Sequence, residues 1–545
     1  ALMDDAPWFR HYEQGVPRSI PDPEITLPEA LDQTVARFPD RVALRFFLDA
    51  RLPVPALTYR QLQDETRRFA TALFQLGVRK GGRVALMLPN CPQFVVAFYG
   101  ALRIGAIPVN TNPLYVSREM REQFEDSGCE TVVLLDQFYP RLREIHAATR
   151  VRRVIVVDVA ERLPWYARLL VHVAQRRKGE AVRIPAETDT YLFRDLVRRY
   201  PPTPPGADLK PSDVALLQYT GGTTGTPKAA MLTHRNLVSN ALQAQAWFPS
   251  AAGGIYLGAI PFFHVYGLTS VLLFGIAQAA EIVVIPRPRP VDIVLEAIQR
   301  FRVGLFPGVP TLYAAINDHP RVGEYDLRSG ALCVSGAAPL PREVFERFEA
   351  LTGGRLVEGY GLTETSPLTH CTPILGERRP GSIGLPFPST EARIVDLTSG
   401  EPVAPGEEGE LEVRGPQVML GYWGRPDETA EVFHDGWLRT GDVARMDPDG
   451  FFYVVDRRKD MIDASGFKVL PREVEEVLFM HPKIREAVVA GVPDAYRGET
   501  VKAFVVLKPG ETATAEEIVE FCRLHLAPFK VPRQVAFRDE LPKSM

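Results

Sequence analysis

Five short apolar runs constrain this chain more than anything else in it: Val84-Ala-Leu-Met-Leu88, Thr131-Val-Val-Leu-Leu135, Val154-Ile-Val-Val157, Ile282-Val-Val-Ile285 and Ala331-Leu-Cys-Val334. Each is bounded by turn residues, and helical-looking stretches lie between them. Continuous apolar runs of this length predict strands buried on both faces, the pattern of a parallel sheet joined by helices. Other apolar segments pass directly into Gly-, Pro- or Ser-rich loops: Phe306-Pro-Gly-Val-Pro-Thr311, Ser335-Gly-Ala-Ala-Pro339 and Glu358-Gly-Tyr-Gly361. In open α/β sheets ligands bind beyond the carboxyl ends of strands, so these loops are expected to surround one cleft. From about Gly381 the texture changes to closely spaced strands and turns, such as Glu410-Leu-Glu-Val-Arg414 and Gly450-Phe-Phe-Tyr-Val-Val455, which predict a small antiparallel unit. The charged stretch Asp456-Arg-Arg-Lys-Asp460 marks a domain boundary. An α+β tail follows, in which Thr514-Ala-Glu-Glu517 forms a capping box ahead of a helix over Ile518 to Leu526.

At 545 residues the chain exceeds what one hydrophobic core supports, so two or more domains are expected. Hydrophobic content of 46% with 24% charged residues suits a soluble globular protein, and a net charge of −4 gives no reason to expect nucleic-acid binding. The five cysteines are scattered without a CxxC pair, which argues against structural zinc or a disulfide framework and fits a reducing cytoplasm. The first thirty residues are polar and proline-rich, unlike a secretory signal. The run Gly267 to Ala280 is too short to cross a bilayer and reads as a buried helix. One region stands out by charge: residues 141–200 carry 14 Lys/Arg against 7 Asp/Glu. Within it, Leu163 to Lys178 is apolar and aromatic first, then basic, a composition suited either to an anionic membrane surface or to a solvated basic helix.

The segment Tyr219-Thr-Gly-Gly-Thr-Thr-Gly-Thr-Pro-Lys228 carries the clearest chemical signal. Glycine lets backbone N–H groups approach an anion, threonine adds hydroxyl donors, and lysine adds a mobile positive charge, a combination suited to a polyphosphate. It is not a Walker A loop, because Lys228 follows Pro227 and precedes Ala229.

Six further segments occur in order: Pro261-Phe-Phe-His-Val-Tyr-Gly267, Glu358-Gly-Tyr-Gly-Leu-Thr-Glu-Thr-Ser366, Gly381-Ser-Ile-Gly-Leu-Pro386, Trp437-Leu-Arg-Thr-Gly-Asp442, Asp456-Arg-Arg-Lys-Asp460 and Ser465-Gly-Phe-Lys-Val469. Together with the Thr/Gly segment they resemble the adenylate-forming superfamily of acyl-CoA synthetases, luciferases and adenylation domains, over essentially the whole chain. Val109 to Tyr115, Pro416 to Trp423 and Phe537 to Ser544 are similar to the bacterial long-chain fatty acyl-CoA ligases within it. The resemblance implies an α/β fold with a large domain, 1–455, of parallel-rich sheets, helices and a small β-barrel-like subdomain. It also implies a hinge at 456–461 and a mobile α+β domain at 462–545.

The implied reaction joins a long-chain fatty acid to CoA through an acyl-adenylate, consuming ATP with Mg2+ and releasing AMP and pyrophosphate. Thr220, Gly221, Gly222, Thr223, Thr224, Gly225, Thr226 and Lys228 would hold the phosphates, with Thr224 and Glu364 toward the metal. Thr363 would donate to the α-phosphate. Gly336, Ala337, Glu358, Tyr360, Gly361 and Asp442 would form the nucleotide site, Tyr360 flanking adenine and Asp442 the ribose hydroxyls, with Arg457 reaching ribose or phosphate. His264 would orient the carboxylate and adenylate. Lys459 would be the pivot, and Ser465, Gly466 and Lys468 would line the CoA channel. The residues by themselves also allow plainer roles: Glu364 as a helix cap, Asp442 as a turn stabiliser, Tyr360 or His264 as packing.

Asp463 stands where an apolar residue is expected and Lys468 where the subfamily carries asparagine. The superfamily's adenylating lysine follows the Leu-Pro-Lys-Ser segment, so it is expected beyond Met545, and Lys543 is not that residue. An acyl tail gains about 0.8 kcal/mol per buried methylene, so an apolar tunnel is expected along Gly267 to Ala280 and near Val309, Ala337 and Gly361. Medium-chain or aromatic acids, or acyl-adenylate and fatty-acid binding without full turnover, are the alternatives. The expected address is the cytoplasm, with the inner membrane face reached through region 141–200.

Overall fold

The computed structural model describes residues 6–185, 187–220, 227–330, 332–337, 340–457, 462–464, 467–469, 471–494 and 498–541. Two large sheets form its centre. In one, the strands run in the order Leu385–Pro386, Leu368–Cys371, Arg355–Gly361, Leu332–Ser335, Leu305–Gly308, Ile255–Gly258, Glu281–Val284, Val42–Phe46 and Ala56–Thr58. In the other the order is Gly421–Tyr422, Lys228–Thr233, Val214–Thr220, Ile107–Asn110, Arg83–Met87, Thr131–Leu135, Arg153–Val157 and Thr190–Leu192. The strands from Arg355–Gly361 across to Val42–Phe46 pair in parallel, as do those from Val214–Thr220 across to Thr190–Leu192. The antiparallel pairs sit toward the sheet edges.

All five apolar runs are parallel strands. Several begin one residue earlier than the apolar pattern suggests, at Arg83, Arg153 and Glu281. Ladder pairing sets the ends, and polar side chains at the rim find local partners: Arg83 donates from Nε to Ser127 O at 2.9 Å and from Nη2 to Gly128 O at 3.0 Å. The interiors match the expectation, since Val84, Leu86, Val133 and Ile155 are wholly buried. Each such side chain contributes about 1.5–3 kcal/mol of transfer free energy.

The expected buried helix spans Val265 to Ala277, with a π-helical turn over Leu268–Leu273, and packs against the helix His234–Trp247. The antiparallel unit after Gly381 is a five-stranded sheet built on Glu391–Val395, Glu408–Arg414 and Trp437–Met446, with Phe433–His434 and Phe452–Arg457 pairing the last of these. A fourth sheet contains Phe467–Val469, Ile462–Ala464, Gly498–Leu507, Ile484–Asp494 and Gln534–Phe537. Its helix Ala515–His525 starts three residues before Ile518, because Thr514 is the cap and its hydroxyl accepts from Glu517 N–H at 3.2 Å. Among the contacts of this fourth-sheet unit with the first part of the chain is a buried charge. Lys530 Nζ lies 3.1 Å from Glu119, on the helix Ser117–Ser127, and 2.7 Å from Glu473, on the helix Pro471–Phe479.

Candidate active site

Thr220 ends one strand, Lys228 begins the next, and the two are ladder partners. The Thr/Gly segment therefore returns between antiparallel strands, whereas a Walker A loop leads from a strand into a helix. Gly221, Gly222, Thr223, Thr224, Gly225 and Thr226 lie outside the described residues. The base of the segment is braced on both sides. The Tyr219 hydroxyl donates to Asp126 Oδ2 at 2.6 Å, Arg425 Nη2 donates to Asp126 Oδ1 at 2.9 Å, and Arg425 Nε lies 3.8 Å from Glu428 Oε1. Glu428 forms an ion pair with Lys228, and the Lys228 ammonium sits 5.3 Å from the centre of the Tyr422 ring.

Tyr422 joins this lysine to the second acidic motif. Its hydroxyl donates to Glu364 Oε1 at 2.6 Å. Burial and the adjacent Glu364 together push the phenol well above its usual range. Local folding fixes both partners: Tyr422 pairs with Ala230 beside Lys228–Thr233, and the Glu364 carbonyl accepts from Met419 N–H at 2.7 Å. Glu364 and Thr363 lie on the short helical turn Thr363–Thr365 that follows the strand Arg355–Gly361. Lys228 and Glu364, 136 positions apart, thus converge on one tyrosine.

The nucleotide-site candidates collect at neighbouring strand ends. Tyr360 donates its hydroxyl to Asp442 Oδ2 at 2.6 Å, linking the large sheet to the five-stranded one. The Tyr360 ring meets the His370 ring at a steep angle of 68° with centroids 5.8 Å apart, and burial holds His370 neutral, its pKa down to about 3. The expected flat apolar wall is thus also a hydrogen-bond donor that orients Asp442. Glu358 lies two residues earlier in the strand; burial pushes its carboxyl up to about 7, partly offset by a backbone hydrogen bond from Leu340. Gly336 and Ala337 follow the neighbouring strand Leu332–Ser335. A Cβ at Gly336 would come within 2.9 Å of the Tyr266 ring, and Ala337 adopts the left-handed φ of 70°. At Gly361 a Cβ would lie 1.8 Å from the Pro367 carbonyl oxygen, so the chain can turn into Thr363–Thr365 only with glycine there.

Residues 31–423 match the AMP-binding enzyme family, and residues 473–545 match the AMP-binding enzyme C-terminal domain. The chain belongs to the AMP-binding enzyme family. It is 44% identical to a long-chain-fatty-acid–CoA ligase of Bacillus subtilis (strain 168), over 100% of this chain and 96% of that protein. It is 38% identical to a feruloyl-CoA synthase of Amycolatopsis over 89% of this chain and 91% of that protein. Among solved structures it resembles a long-chain-fatty-acid-CoA ligase from Archaeoglobus fulgidus, with a TM-score of 0.77, 26% identity, and 97% of this chain and 99% of that one covered.

His264 does not take the packing role. It is exposed and caps the next turn, its Nδ1 accepting from Tyr266 N–H at 3.3 Å. The residues by themselves had allowed packing there, but it is the neighbours Phe262, Val265, Tyr266 and Gly267 that are buried. Gln218 ties this segment to the Thr/Gly strand, donating to Phe263 O at 3.1 Å. The side chains of Arg457, Asp463 and Lys468, together with Lys459, Ser465, Gly466 and Lys543, lie outside what is described; the Arg457 backbone pairs with Asp442.

Asp126, Tyr422, Arg425 and Glu428 belong to the site but were not singled out from sequence. The run Arg425-Pro-Asp-Glu428 reads as an ordinary charged helix start, and only its contact with Lys228 gives it meaning. Among the described residues no group of three His, Cys, Asp or Glu could hold a metal ion. Glu364 as a lone carboxylate oxygen donor nevertheless fits Mg2+, which keeps waters and takes most remaining ligands from substrate phosphates.

Proposed function

We propose that this chain activates a long-chain fatty acid with ATP and transfers the acyl group to CoA. The observation that carries this reading is the meeting of Lys228 and Glu364 at Tyr422, beside the paired ends of the Thr/Gly segment. In the first step a carboxylate oxygen bonds to the α-phosphorus of ATP and the bond to pyrophosphate breaks. An anion attacking a polyanion needs fixed positive charge and hydrogen-bond donors where negative charge builds. Lys228 exchanges Glu428 for phosphate oxygens, with Thr220, Thr223, Thr224 and Thr226 adding hydroxyl donors. Glu364, steered by Tyr422, would hold Mg2+, which supplies neutralisation of phosphate charge. Thr363 faces the α-phosphate, and the exposed His264 orients the carboxylate. Asp442, aligned by Tyr360, accepts from the ribose hydroxyls, with Arg457 alongside.

In the second step the CoA sulfur bonds to the acyl carbonyl carbon, the carbon–oxygen bond to AMP breaks, and the thiol proton leaves to solvent. Ser465, Gly466 and Lys468 are the residues we assign to the CoA channel. Rotation about 456–461 between the steps is supported by the shortness of the link: one sheet's last strand ends at Arg457 and the next sheet's first begins at Ile462. The apolar helix around Gly267 to Ala280 is our assignment for the acyl side of the cleft, and the basic region 141–200 for contact with the inner face of a membrane.

A chain-length series measuring CoA-dependent AMP formation tests the reading, run on this chain and on one extended past Met545. Long-chain acids are expected to give the highest kcat/KM. No AMP above the acid-free control with either protein rejects it; maximal turnover of an aromatic acid would reassign the substrate.

A further inference from the structure

The helix Trp165–Arg177 is folded inside out. At helical spacing Trp165, Leu169 and Val173 form one row and Tyr166 and Leu170 the adjacent row. These five residues are exposed, Trp165 at 79% and Leu170 at 63%. The opposite side turns polar groups inward: Arg168 Nη2 and His172 Nε2 meet Asp158 Oδ2 at 2.8 and 3.1 Å. Ala167 is the one buried residue of the helix, in a small cluster with Ala160 and Leu163 against which Leu48, Leu52 and Val171 pack. A cavity of about 610 Å3, lined by Asp136, Asp158, Glu161, Arg168, Arg176 and Arg194 among others, lies beneath it. The apolar face therefore does nothing for the fold. Apolar clusters of this kind on an otherwise polar surface mark interaction sites.

The charges around that face identify what covers it. The helix contains no Asp or Glu, and its apolar rows end at exposed Arg177 and Lys178, while Arg176 continues the inward row of Arg168 and His172 and lines the cavity. A second copy laid on this face would bring further cations with no carboxylate on the helix to meet them. Aromatic residues at one end, aliphatic rows between and cations at the other suit a lipid interface with anionic headgroups. Thirteen residues extend about 20 Å along a helix axis, and among the described residues no helix is long and apolar enough to cross a membrane.

We infer that the helix Trp165–Arg177 lies flat on an anionic lipid bilayer, with Trp165, Tyr166, Leu169, Leu170 and Val173 in the acyl boundary and Arg177 and Lys178 on the headgroups. This rests on the reading of region 141–200 as a membrane contact and names the element and the lipid chemistry. The test is co-sedimentation of the full chain with vesicles of equimolar phosphatidylglycerol and phosphatidylcholine, and with phosphatidylcholine alone. Binding is expected on the anionic vesicles. Arg177→Gln and Lys178→Gln together should lower the partition coefficient about 25-fold, at roughly a factor of five per cation. Leu169→Gln with Leu170→Gln should lower it at least tenfold. Both variants should keep the wild-type thermal midpoint and AMP formation from a soluble medium-chain acid, since their side chains support neither fold nor cleft. Wild-type binding that both variants retain overturns the helix assignment while leaving a membrane contact elsewhere in 141–200. Absence of binding by the wild type overturns both and leaves the ligase reading intact. A dimer, seen by light scattering and dissolved by Leu169→Gln with Leu170→Gln, would make the occupant a second copy and also overturn the proposal.

Discussion

Lys228 and Lys530 are each set over a tyrosine ring, 5.3 Å from Tyr422 and 5.2 Å from Tyr115, and each meets glutamate. Their surroundings then diverge. Lys530 lies between two glutamates that are themselves buried, Glu119 and Glu473, contributed by two different parts of the chain. Burial works against its charge, but Glu473 and Glu119 outweigh it and hold the ammonium above the usual lysine range. The Lys228 partner, Glu428, keeps 31% of its side-chain surface exposed, and a second carboxylate, Glu364, waits across Tyr422. A closed cluster holds two pieces of structure together in this arrangement, and the rotation proposed about 456–461 would have to open it. A half-open one holds a cation ready to change partners.

The largest expected effect tests that contrast directly. Lys530→Met leaves two buried carboxylates without a cation and should cost about 3–5 kcal/mol, read as a fall in the denaturant midpoint. Lys228→Met should lower the midpoint much less, because Glu428 keeps 31% of its side-chain surface exposed and Arg425 Nε stays 3.8 Å from its other oxygen. Equal losses of stability would erase the distinction. Lys228→Met should instead lower kcat for fatty-acid-dependent pyrophosphate release by about 10²–10³-fold, the usual consequence of removing one fixed donor to developing charge, while Lys530→Met keeps that step within a few-fold at temperatures where it is folded. Next in size, Glu364→Gln should lower kcat about 100-fold and shift half-saturation to higher Mg2+. If the Mg2+ dependence is unmoved, Glu364 is not the metal residue.

Titration sharpens the comparison further. In the closed cluster burial raises the Glu473 pKa, Lys530 opposes it, and Glu119 and Glu122 add smaller upward pushes. In the cleft burial raises Glu358 to about 7. For both, the folded state holds its proton more tightly than the unfolded chain. The resulting stability is complete below the unfolded value of about 4.5 and is lost as pH rises through the folded value. The slope approaches about 1.4 kcal/mol per pH unit for one full proton. Glu358→Gln should flatten the fall of unfolding free energy between pH 4.5 and 7, and Glu473→Gln should do so above pH 4.5. Unchanged slopes in both variants would mean that neither carboxyl takes up a proton on folding.

The parallel strands were legible because burial on both faces leaves an uninterrupted apolar run, as at Thr131–Leu135. The motif residues Lys228, Glu364, Tyr360 and Asp442 were legible as residue types set in glycine-rich loops. What joins them was not. Tyr422 to Glu364 spans 58 positions and Asp126 to Arg425 spans 299, and such pairings are set by tertiary packing rather than by local pattern. Lys530 looked like any basic residue in a tail, since nothing near it in sequence announces Glu119. The helix Trp165–Arg177 shows the converse. Its composition was visible, but periodicity alone does not say which face points outward, and here it is the apolar one.

Glu428 carries the smallest expected effect and the most specific one. If it holds Lys228 only until phosphate arrives, it competes with ATP, so removing its charge should help binding rather than harm it. Glu428→Gln is expected to lower KM for ATP about three-fold, of the order of the 0.2–1 kcal/mol measured for partly exposed ion pairs, with kcat unchanged. The analogous change in the closed cluster, Glu119→Gln, should leave KM for ATP alone and lower stability. A rise in KM for Glu428→Gln would show that Glu428 positions Lys228 for its substrate, in which case both lysines are held structurally and only the openness of the surroundings separates them.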